Sequence, residues 1–338
     1  MRTVGCLKGD RMASQGNRRW AFVVALALGL GLAFAPVAFQ MFSRAPKGGD
    51  MIDAFKPYMR AAKIAEFQGY IAAIRAADAE IDRSLVPDLE DQLGLDEAQI
   101  GTQFPQLENL RTEWPTIDAD MSDMLTKMER NIENYEAVAA LPPFPLFPWF
   151  FVAPGLMIAG FAVWGLRSSG QVSRRRRAAI ALIVMGLGVV AAPAIFQMFS
   201  RAPKGADMID DFESLMTIEK LRSIQGYFVT MAAAEGSLRT GVLPALATEA
   251  AVPVATVADE FPDIQVFSRD WPTMFREFAP MIGTMQGNVE NYAAVAALPP
   301  FGLFPWFFVV PGLLVAGAGI AAKKGSGQEE VPTSTSPV

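Results

Sequence analysis

The chain has 338 residues, of which 51% are hydrophobic and 19% are charged, and its formal net charge is −6. This composition is too apolar for an ordinary soluble protein and too charged for a protein that lies wholly within a membrane. The chain has no histidine and a single cysteine, Cys6, which excludes histidine-based catalysis, the usual His/Cys zinc sites and an intrachain disulfide.

A first membrane span is predicted over residues 20–42, after an N-terminal arm of residues 1–19. This stretch carries no charge and is long enough to cross about 30 Å of hydrocarbon as a helix. A cleaved signal peptide is the alternative, because arginines precede the apolar run. Pro36 directly follows the Ala-x-Ala site at Ala33–Ala35 and argues against cleavage there.

A polar segment, residues 43–144, follows the first span, and its apolar residues recur at helical spacing. Steps of three and four residues predict a coiled-coil type seam, formed by Ile64, Phe67, Ile71, Ile74, Asp78, Ile81 and Leu85. Two further stripes cover residues 100–114 and 121–135, with helix breakers at Pro87, Gly94 and Pro115. The segment is therefore predicted to form a three- or four-helix bundle, with a long first helix over residues 50–85 that Pro57 could kink.

The remaining elements repeat this order. Three further uncharged stretches are predicted to span the membrane, at residues 145–166, 178–199 and 303–322. A loop at 167–177 contains five arginines, a second polar segment covers 200–302, and the tail at 323–338 is predicted to be disordered. Small residues four apart, Gly31 with Ala35 and Gly188 with Ala192, permit close contact between span helices.

The sequence contains an internal tandem repeat. Phe39–Gly48 and Phe196–Gly205 are the same ten residues, 157 positions apart, and the same offset relates Trp114-Pro115-Thr116 to Trp271-Pro272-Thr273. We therefore predict an all-α integral membrane protein with four transmembrane helices in two tandem repeats, each with a helical bundle outside the cytoplasm. An approximate twofold axis along the membrane normal is expected to relate the repeats.

Charge predicts the orientation in the membrane. The arm, the arginine-rich loop and the tail together carry a net charge of +9, whereas the two polar segments together carry −15. By the positive-inside rule, both termini and the loop are cytoplasmic, and the two bundles lie outside. The expected location is the plasma membrane.

A few residues are candidates for specific contacts. Asp78 and its equivalent Glu235 are acids at seam positions. If the seam is buried there, they are predicted to fix the register of the helices or to contact a ligand; the alternative is that the seam is solvated at this level. Four basic residues just beyond the spans are candidates for contacts to lipid headgroups, namely Arg44, Lys47, Arg201 and Lys204. The 17 methionines favour gap-filling in apolar cores over copper binding.

One resemblance adds to this interpretation. The chain has Leu93-Gly94, Phe104-Pro105-Gln106-Leu107, Trp114-Pro115 and Asn131-Ile132-Glu133-Asn134-Tyr135 before the second span. In these motifs it resembles uncharacterised actinobacterial membrane proteins that carry a helical extracytoplasmic domain between two transmembrane helices. The resemblance implies location and fold and supplies no catalytic residues.

The sequence contains no Walker motif, dinucleotide fingerprint, nucleophile elbow or nucleic-acid-binding signature, and its spans lack the charges of a coupled-ion site. We therefore predict no catalytic residue, cofactor or metal, and no nucleic-acid partner. The first hypothesis is a non-enzymatic cell-envelope scaffold that presents its outer domains to a protein partner. The alternatives are a module that binds or senses a lipid or small amphiphile in a cavity bounded by residues such as Phe104, Trp114 and Tyr135, and a pore or transporter component.

Overall fold

The computed structural model describes residues 6–168 and 171–327, and within these ranges the chain is helical and has no strand. The α-helices in chain order are α1 Cys6–Ala38, α2 Met41–Phe55, α3 Ala61–Glu80, α4 Val86–Leu93, α5 Glu97–Gln103, α6 Pro105–Arg130, α7 Ile132–Ala139, α8 Phe147–Arg167, α9 Val172–Ile195, α10 Met198–Phe212, α11 Ile218–Ser237, α12 Leu243–Glu249, α13 Val254–Glu260, α14 Pro262–Gly287, α15 Val289–Ala296 and α16 Phe304–Gly327. Two π-helical turns, Ile81–Leu85 and Leu238–Val242, join α3 to α4 and α11 to α12.

In the part of the chain that the structure describes, four helices are long and apolar enough to cross a membrane, so the chain is a membrane protein. These segments are Arg19–Ala38, Phe144–Arg167, Val172–Ile195 and Phe301–Lys324. The first and third end four residues earlier than predicted, because Gln40 and Gln197 adopt left-handed backbone angles, with φ of 54° and 53°. Their carbonyls accept hydrogen bonds of 3.0 Å from the hydroxyls of Ser43 and Ser200, at the starts of α2 and α10.

The helices divide into two compact units. The span unit consists of Met1–Asp50, Ala137–Asp207 and Ala294–Val338. The bundle unit consists of a first segment, Met51–Glu136, and a second segment, Met208–Ala293. Each unit therefore draws on both halves of the chain.

In the span unit, the neighbouring helix pairs are α1 with α8, α8 with α9, α9 with α16, and α16 with α1. Glycines set the closest crossings: a Cβ atom on Gly155 would lie 2.6 Å from the Ala33 backbone nitrogen, and one on Gly186 would lie 2.6 Å from the Ala316 nitrogen. The predicted contacts at Gly31 and Gly188 are wrong, since a Cβ atom on either would have no neighbour within 4 Å. The close crossings instead use Gly29 and Gly186, which lie two residues earlier in the same helices.

In the bundle unit, four long helices pack as neighbours in the order α3, α6, α11, α14 and back to α3. The sequence pattern predicts a separate bundle in each segment, whereas the two segments here complete one bundle together. The reason is that each segment supplies only two long helices, whose apolar stripes need the other pair to be covered. The stacked rings of Phe67 and Phe278, 4.4 Å apart, lie at one of these contacts between segments.

Charged contacts between the two segments are reciprocal. Lys63 bonds Glu277 at 2.7 Å, and the equivalent pair, Lys220 with Asp120, lies at 2.6 Å. Such exchange of partners is what an approximate twofold relation requires. The buried Glu80 adds a contact without an equivalent, because its carboxylate accepts the Ile264 backbone N–H of α14 at 2.7 Å, whereas position 237 is a serine.

The predicted helix over residues 50–85 is interrupted at residues 56–60. The second segment has the same break at residues 213–217, where serine stands in place of Pro57, so the proline is not its only cause. There the Thr217 hydroxyl caps α11 by accepting the backbone N–H of Lys220 at 3.2 Å.

Among the predicted helix breakers, Gly94 ends α4 and Pro253 directly precedes α13, whereas the other prolines are accommodated within helices. Pro115 and Pro272 lie inside α6 and α14, where continuous apolar stripes on both sides outweigh a proline cost of about 3 kcal/mol. Pro87 and Pro244 each follow a π-helical turn, whose extra residue makes room for the ring. At the C-terminus, α16 extends to Gly327, into the predicted disordered tail, and residues 328–338 of that prediction lie outside the described residues.

Candidate functional site

A cavity in the bundle unit is the strongest candidate for a functional site. Groups of three or more Cys, Asp or Glu residues that could hold a metal ion are absent from residues 6–168 and 171–327. The cavity has a volume of about 50 Å³ and lies between the two segments. Fourteen residues line it: Met51, Ile52, Phe55, Met59, Met124, Met128 and Tyr135 from the first segment, and Met208, Ile209, Phe212, Met216, Met281, Met285 and Tyr292 from the second.

The lining is symmetric and identical in the two segments. Each residue of the first segment has its equivalent 157 positions later, and all seven pairs carry the same residue type. Most other paired positions in the bundle unit differ. The cavity therefore consists of two identical halves, one from each copy of the repeat.

Methionine dominates this lining. Eight of the fourteen residues are methionines, and at all eight positions the other copy also has methionine. The three other methionines of the bundle unit are replaced in the other copy: Met121 by Phe278, Met231 by Ile74 and Met274 by Ile117. Within the bundle unit, methionine is thus retained in both copies only where it lines the cavity.

Two tyrosines give the cavity fixed walls. The Tyr135 hydroxyl donates to the Ile52 carbonyl at 2.6 Å, and the Tyr292 hydroxyl donates to the Ile209 carbonyl at 2.5 Å. These bonds hold the start of α7 against α2 and the start of α15 against α10. Burial raises the pKa of Tyr135 and raises that of Tyr292 to about 12, so both phenols stay protonated and remain hydrogen-bond donors at neutral pH.

The chemistry available at this site is noncovalent binding. The lining has no carboxylate, amine or thiol, and its phenols are already bonded to carbonyls, so it offers no nucleophile or general base. Methionine side chains have three rotatable bonds and a polarisable sulfur, and they adapt to the shape of an apolar guest. The site combines rigid tyrosine walls with adaptable methionine walls.

The predicted boundary of a cavity is only partly correct. Tyr135 lines the cavity, whereas Phe104 and Trp114 are buried elsewhere in the core of the bundle unit. The methionines were interpreted as gap-fillers from their apolar spacing. The signal that marks the cavity is the identity of methionines between the copies, which separates the lining from the rest of the core.

The two seam acids lie in α3 and α11, away from the residues that line the cavity. Glu235 is buried and pairs with Arg239 at 3.1 Å. Among the described residues, the buried Oδ1 atom of Asp78 has no hydrogen-bond partner. The neighbouring Ala77, rather than Asp78, is the fully buried residue at this level of the seam. Burial, together with the charge of Asp82, raises the pKa of Asp78 to about 6.

The basic residues next to the spans brace the two halves of the span unit. Arg44 donates to the Ala297 carbonyl at 2.7 Å, and Arg201 donates to the equivalent Ala140 carbonyl at 2.8 Å. Each arginine thus bonds the other copy of the repeat, close to where a chain segment ends before re-entering the membrane. Lys47 and Lys204 lie one turn later, in α2 and α10. Contact of these four residues with lipid headgroups stays a prediction.

Comparison with protein-family models and with curated proteins finds no match to this chain.

Proposed function

We propose that this protein is a membrane-anchored binding or sensing module that takes a small apolar molecule, or the tail of an amphiphile, into the methionine-lined cavity. The observation that carries the proposal is the wholly apolar lining supplied in identical halves by the two segments. A guest between the halves contacts both copies at once, so binding stabilises their association. The proposed activity is non-enzymatic.

The size of the cavity defines the guest. A volume of about 50 Å³ accommodates a small apolar molecule, and a longer tail enters only as methionine side chains change rotamer. Apolar cavities of this kind stay free of water, because water needs polar partners. Filling such space recovers dispersion contacts that the lining lacks when it is empty.

The arrangement of the chain in the membrane belongs to the same proposal. The basic arm, loop and tail support cytoplasmic termini, and the acidic segments support an extracytoplasmic bundle unit in the plasma membrane. The recurrence of helices at one offset supports two tandem repeats that jointly build the bundle. The resemblance to actinobacterial proteins with a helical domain between two spans agrees with this location.

A photoreactive fatty acid tests the proposal. A diazirine-bearing palmitate analogue is added to membranes that contain the full chain, and after irradiation the adducts are mapped by peptide mass spectrometry. We expect adducts on peptides from both segments that contain lining residues. The double variant Met128→Phe/Met285→Phe fills the cavity from both halves and should remove them.

The matched control for this experiment is Met121→Phe. Position 121 lies in the core of the same unit, outside the cavity, and its equivalent is already Phe278. This variant should keep the adducts. Adducts that are absent from lining peptides, or that persist in the filled double variant, would contradict ligand binding at this site.

A second candidate function, presentation of a docking surface to a protein partner, is favoured by one exposed patch. Phe275 and Val229 lie 47% and 70% exposed on α14 and α11. The equivalent positions are Asp118, which pairs with Arg75, and Ala72. If this patch binds a protein partner, the Phe275→Asp variant should no longer crosslink to that partner, whereas the control Asp118→Asn should still do so. Crosslinking that persists in both variants would exclude this surface.

A further inference from the structure

The span unit contains a lateral groove between α8 and α9. It has a volume of about 230 Å³ and an almost wholly apolar lining. Aromatic rings form one end of the groove, where Phe150 lies 5.4 Å from Phe196 and 6.1 Å from Phe147, measured between ring centroids. Trp149 also lines this end.

Small residues keep the groove open. Gly188 faces space, since a Cβ atom there would have no neighbour within 4 Å. Ala153 and Ala192 line the same space from the two helices. The groove therefore does not close by side-chain packing within the span unit.

The dimensions of the groove fit one hydrocarbon chain. The lining residues of α9 and its C-terminal turn run from Met185 to Phe196, which corresponds to about 16 Å at 1.5 Å per residue. This is about half of a 30 Å hydrocarbon layer, or the depth of one leaflet. A volume of about 230 Å³ over this length is far below that of a transmembrane helix, which is about 10 Å across, whereas an acyl chain fits.

A cationic side chain stands at the aromatic end. Met198 and Pro142 line the groove there. Arg201, one turn after Met198, donates to the carbonyl of Ala140, two residues before Pro142. A guanidinium carries five N–H donors in a planar fork, so Arg201 can bond this carbonyl and a phosphate oxygen together. Tryptophan and arginine at the end of a span are typical of headgroup depth.

We propose that this groove is a binding site for one anionic phospholipid, with an acyl chain between α8 and α9 and the headgroup phosphate bound by Arg201. The site is separate from the cavity of the bundle unit and does not depend on the proposed function. It assigns Arg201 a role in addition to bracing the two copies of the repeat.

The site belongs to one half of the span unit. At the equivalent positions of the other half, Val310 replaces Ala153 and Leu28 replaces Met185, so branched side chains stand where this groove has a methyl group and a flexible thioether. Arg44 is the equivalent of Arg201. We therefore expect one retained lipid per chain.

Native mass spectrometry of the full chain tests the proposal. The protein is reconstituted in nanodiscs with equal amounts of phosphatidylglycerol and phosphatidylcholine, then released and stripped stepwise with detergent. We expect one phosphatidylglycerol to remain bound to the wild-type chain. Gly188→Leu fills the groove and should lower retention by about tenfold, since even two lost methylene contacts have this effect.

Three further variants complete the design. Gly160→Leu is the matched control, because Gly160 lies on α8 with open space around its Cβ position and does not line the groove. Ala153→Val imports the residue of position 310 and should lower retention even if Gly188→Leu folds poorly. Arg201→Gln keeps a donor for the Ala140 carbonyl but removes the charge, so it should abolish the preference for phosphatidylglycerol, whereas Arg44→Gln should not.

Four results would overturn the proposed lipid site or the role of Arg201 in it. Wild-type retention in both Gly188→Leu and Ala153→Val overturns the site, as does equal loss in Gly160→Leu. A second copy of the chain in place of lipid, seen as a dimer mass that Gly188→Leu abolishes, also overturns it. Retention without headgroup preference in the wild type overturns the role of Arg201.

Discussion

Replacing Asp78 by asparagine is a direct test of the electrostatics of the bundle unit. In the native protein, Oδ1 of Asp78 is buried and has no hydrogen-bond partner among the described residues. Burial raises its pKa first, the charges of Asp82 and Asp118 raise it further, and Arg111 lowers it, with a result of about 6. Ionised Asp78 is therefore a destabilising group in this fold at neutral pH.

The sign and size of the effect follow from linkage. The rise from 3.8 to about 6 corresponds to about 3 kcal/mol at most, and solvent screening of this half-buried group reduces it to about 1–2 kcal/mol. Between about pH 4 and pH 6 the folded state binds more protons than the unfolded state, so stability falls as the pH rises through this window. Asp78→Asn should stabilise the protein by about 1–2 kcal/mol at pH 7 and by little at pH 4.

The assay is thermal unfolding of the full chain in detergent over this pH range, with hydrogen exchange of peptides from residues 61–93 as the local readout. For a unit of this size, the expected gain raises Tm by about 2–8 °C at pH 7. Glu235→Gln is the matched control, because Glu235 has Arg239 as a partner and its loss should not stabilise. A lower Tm of Asp78→Asn at pH 7, or an unchanged pH dependence, would refute the reasoning.

Three other substitutions probe separate contacts. Gly155→Ala should destabilise the span unit by about 1–3 kcal/mol in detergent unfolding, since the added methyl group meets backbone, whereas Gly160→Ala, with open space, should be neutral or stabilising. Asp211→Asn should cost about 1 kcal/mol near pH 7 in thermal melts. Despite desolvation, bonds from Asn131 and Arg130 lower the pKa of Asp211, so this contribution is lost as the pH falls below about 4 and the variant then matches wild type. Glu80→Ala should cost about 1–3 kcal/mol and speed amide exchange at the start of α14, since a buried N–H loses its acceptor. Equal stability of the two glycine variants, a pH-independent deficit at position 211 or unchanged exchange in Glu80→Ala would contradict the respective argument.

The sequence identifies the four spans and most buried stripes because these patterns are strong and local. Uncharged stretches of about 20 residues leave few alternatives to a membrane helix. Steps of three and four residues mark Ile64, Phe67, Ile71 and Ile74, all of which are buried. The boundaries are less accurate, since the turn at Gln40 depends on a backbone conformation that glutamine rarely adopts.

The shared bundle was beyond reach of the sequence pattern. The apolar stripe on α3 must pack against other helices, but the sequence pattern does not show whether these are α6, α14 or both. The deciding contacts connect residues far apart in the chain, such as Lys63 with Glu277. Proline gave a misleading signal for the same reason, because the stripe that continues past Pro115 is covered by tertiary packing.

The two copies of the repeat differ in some places and agree in others, and the pattern bears on where ligands bind. The cavity has the same residue types in both halves, while two exterior sites differ: Asp118 pairs with Arg75 where the other copy exposes Phe275, and Ala153 borders the lipid groove where the other copy has Val310. A ligand held between two halves contacts both, so a change in either half alters its binding. A lipid or a protein partner on one outer face contacts one copy only, which leaves the other copy free to change. The contrast between the identical cavity and these two divergent exterior sites therefore favours a shared ligand site inside and one-sided contacts at the two exterior sites.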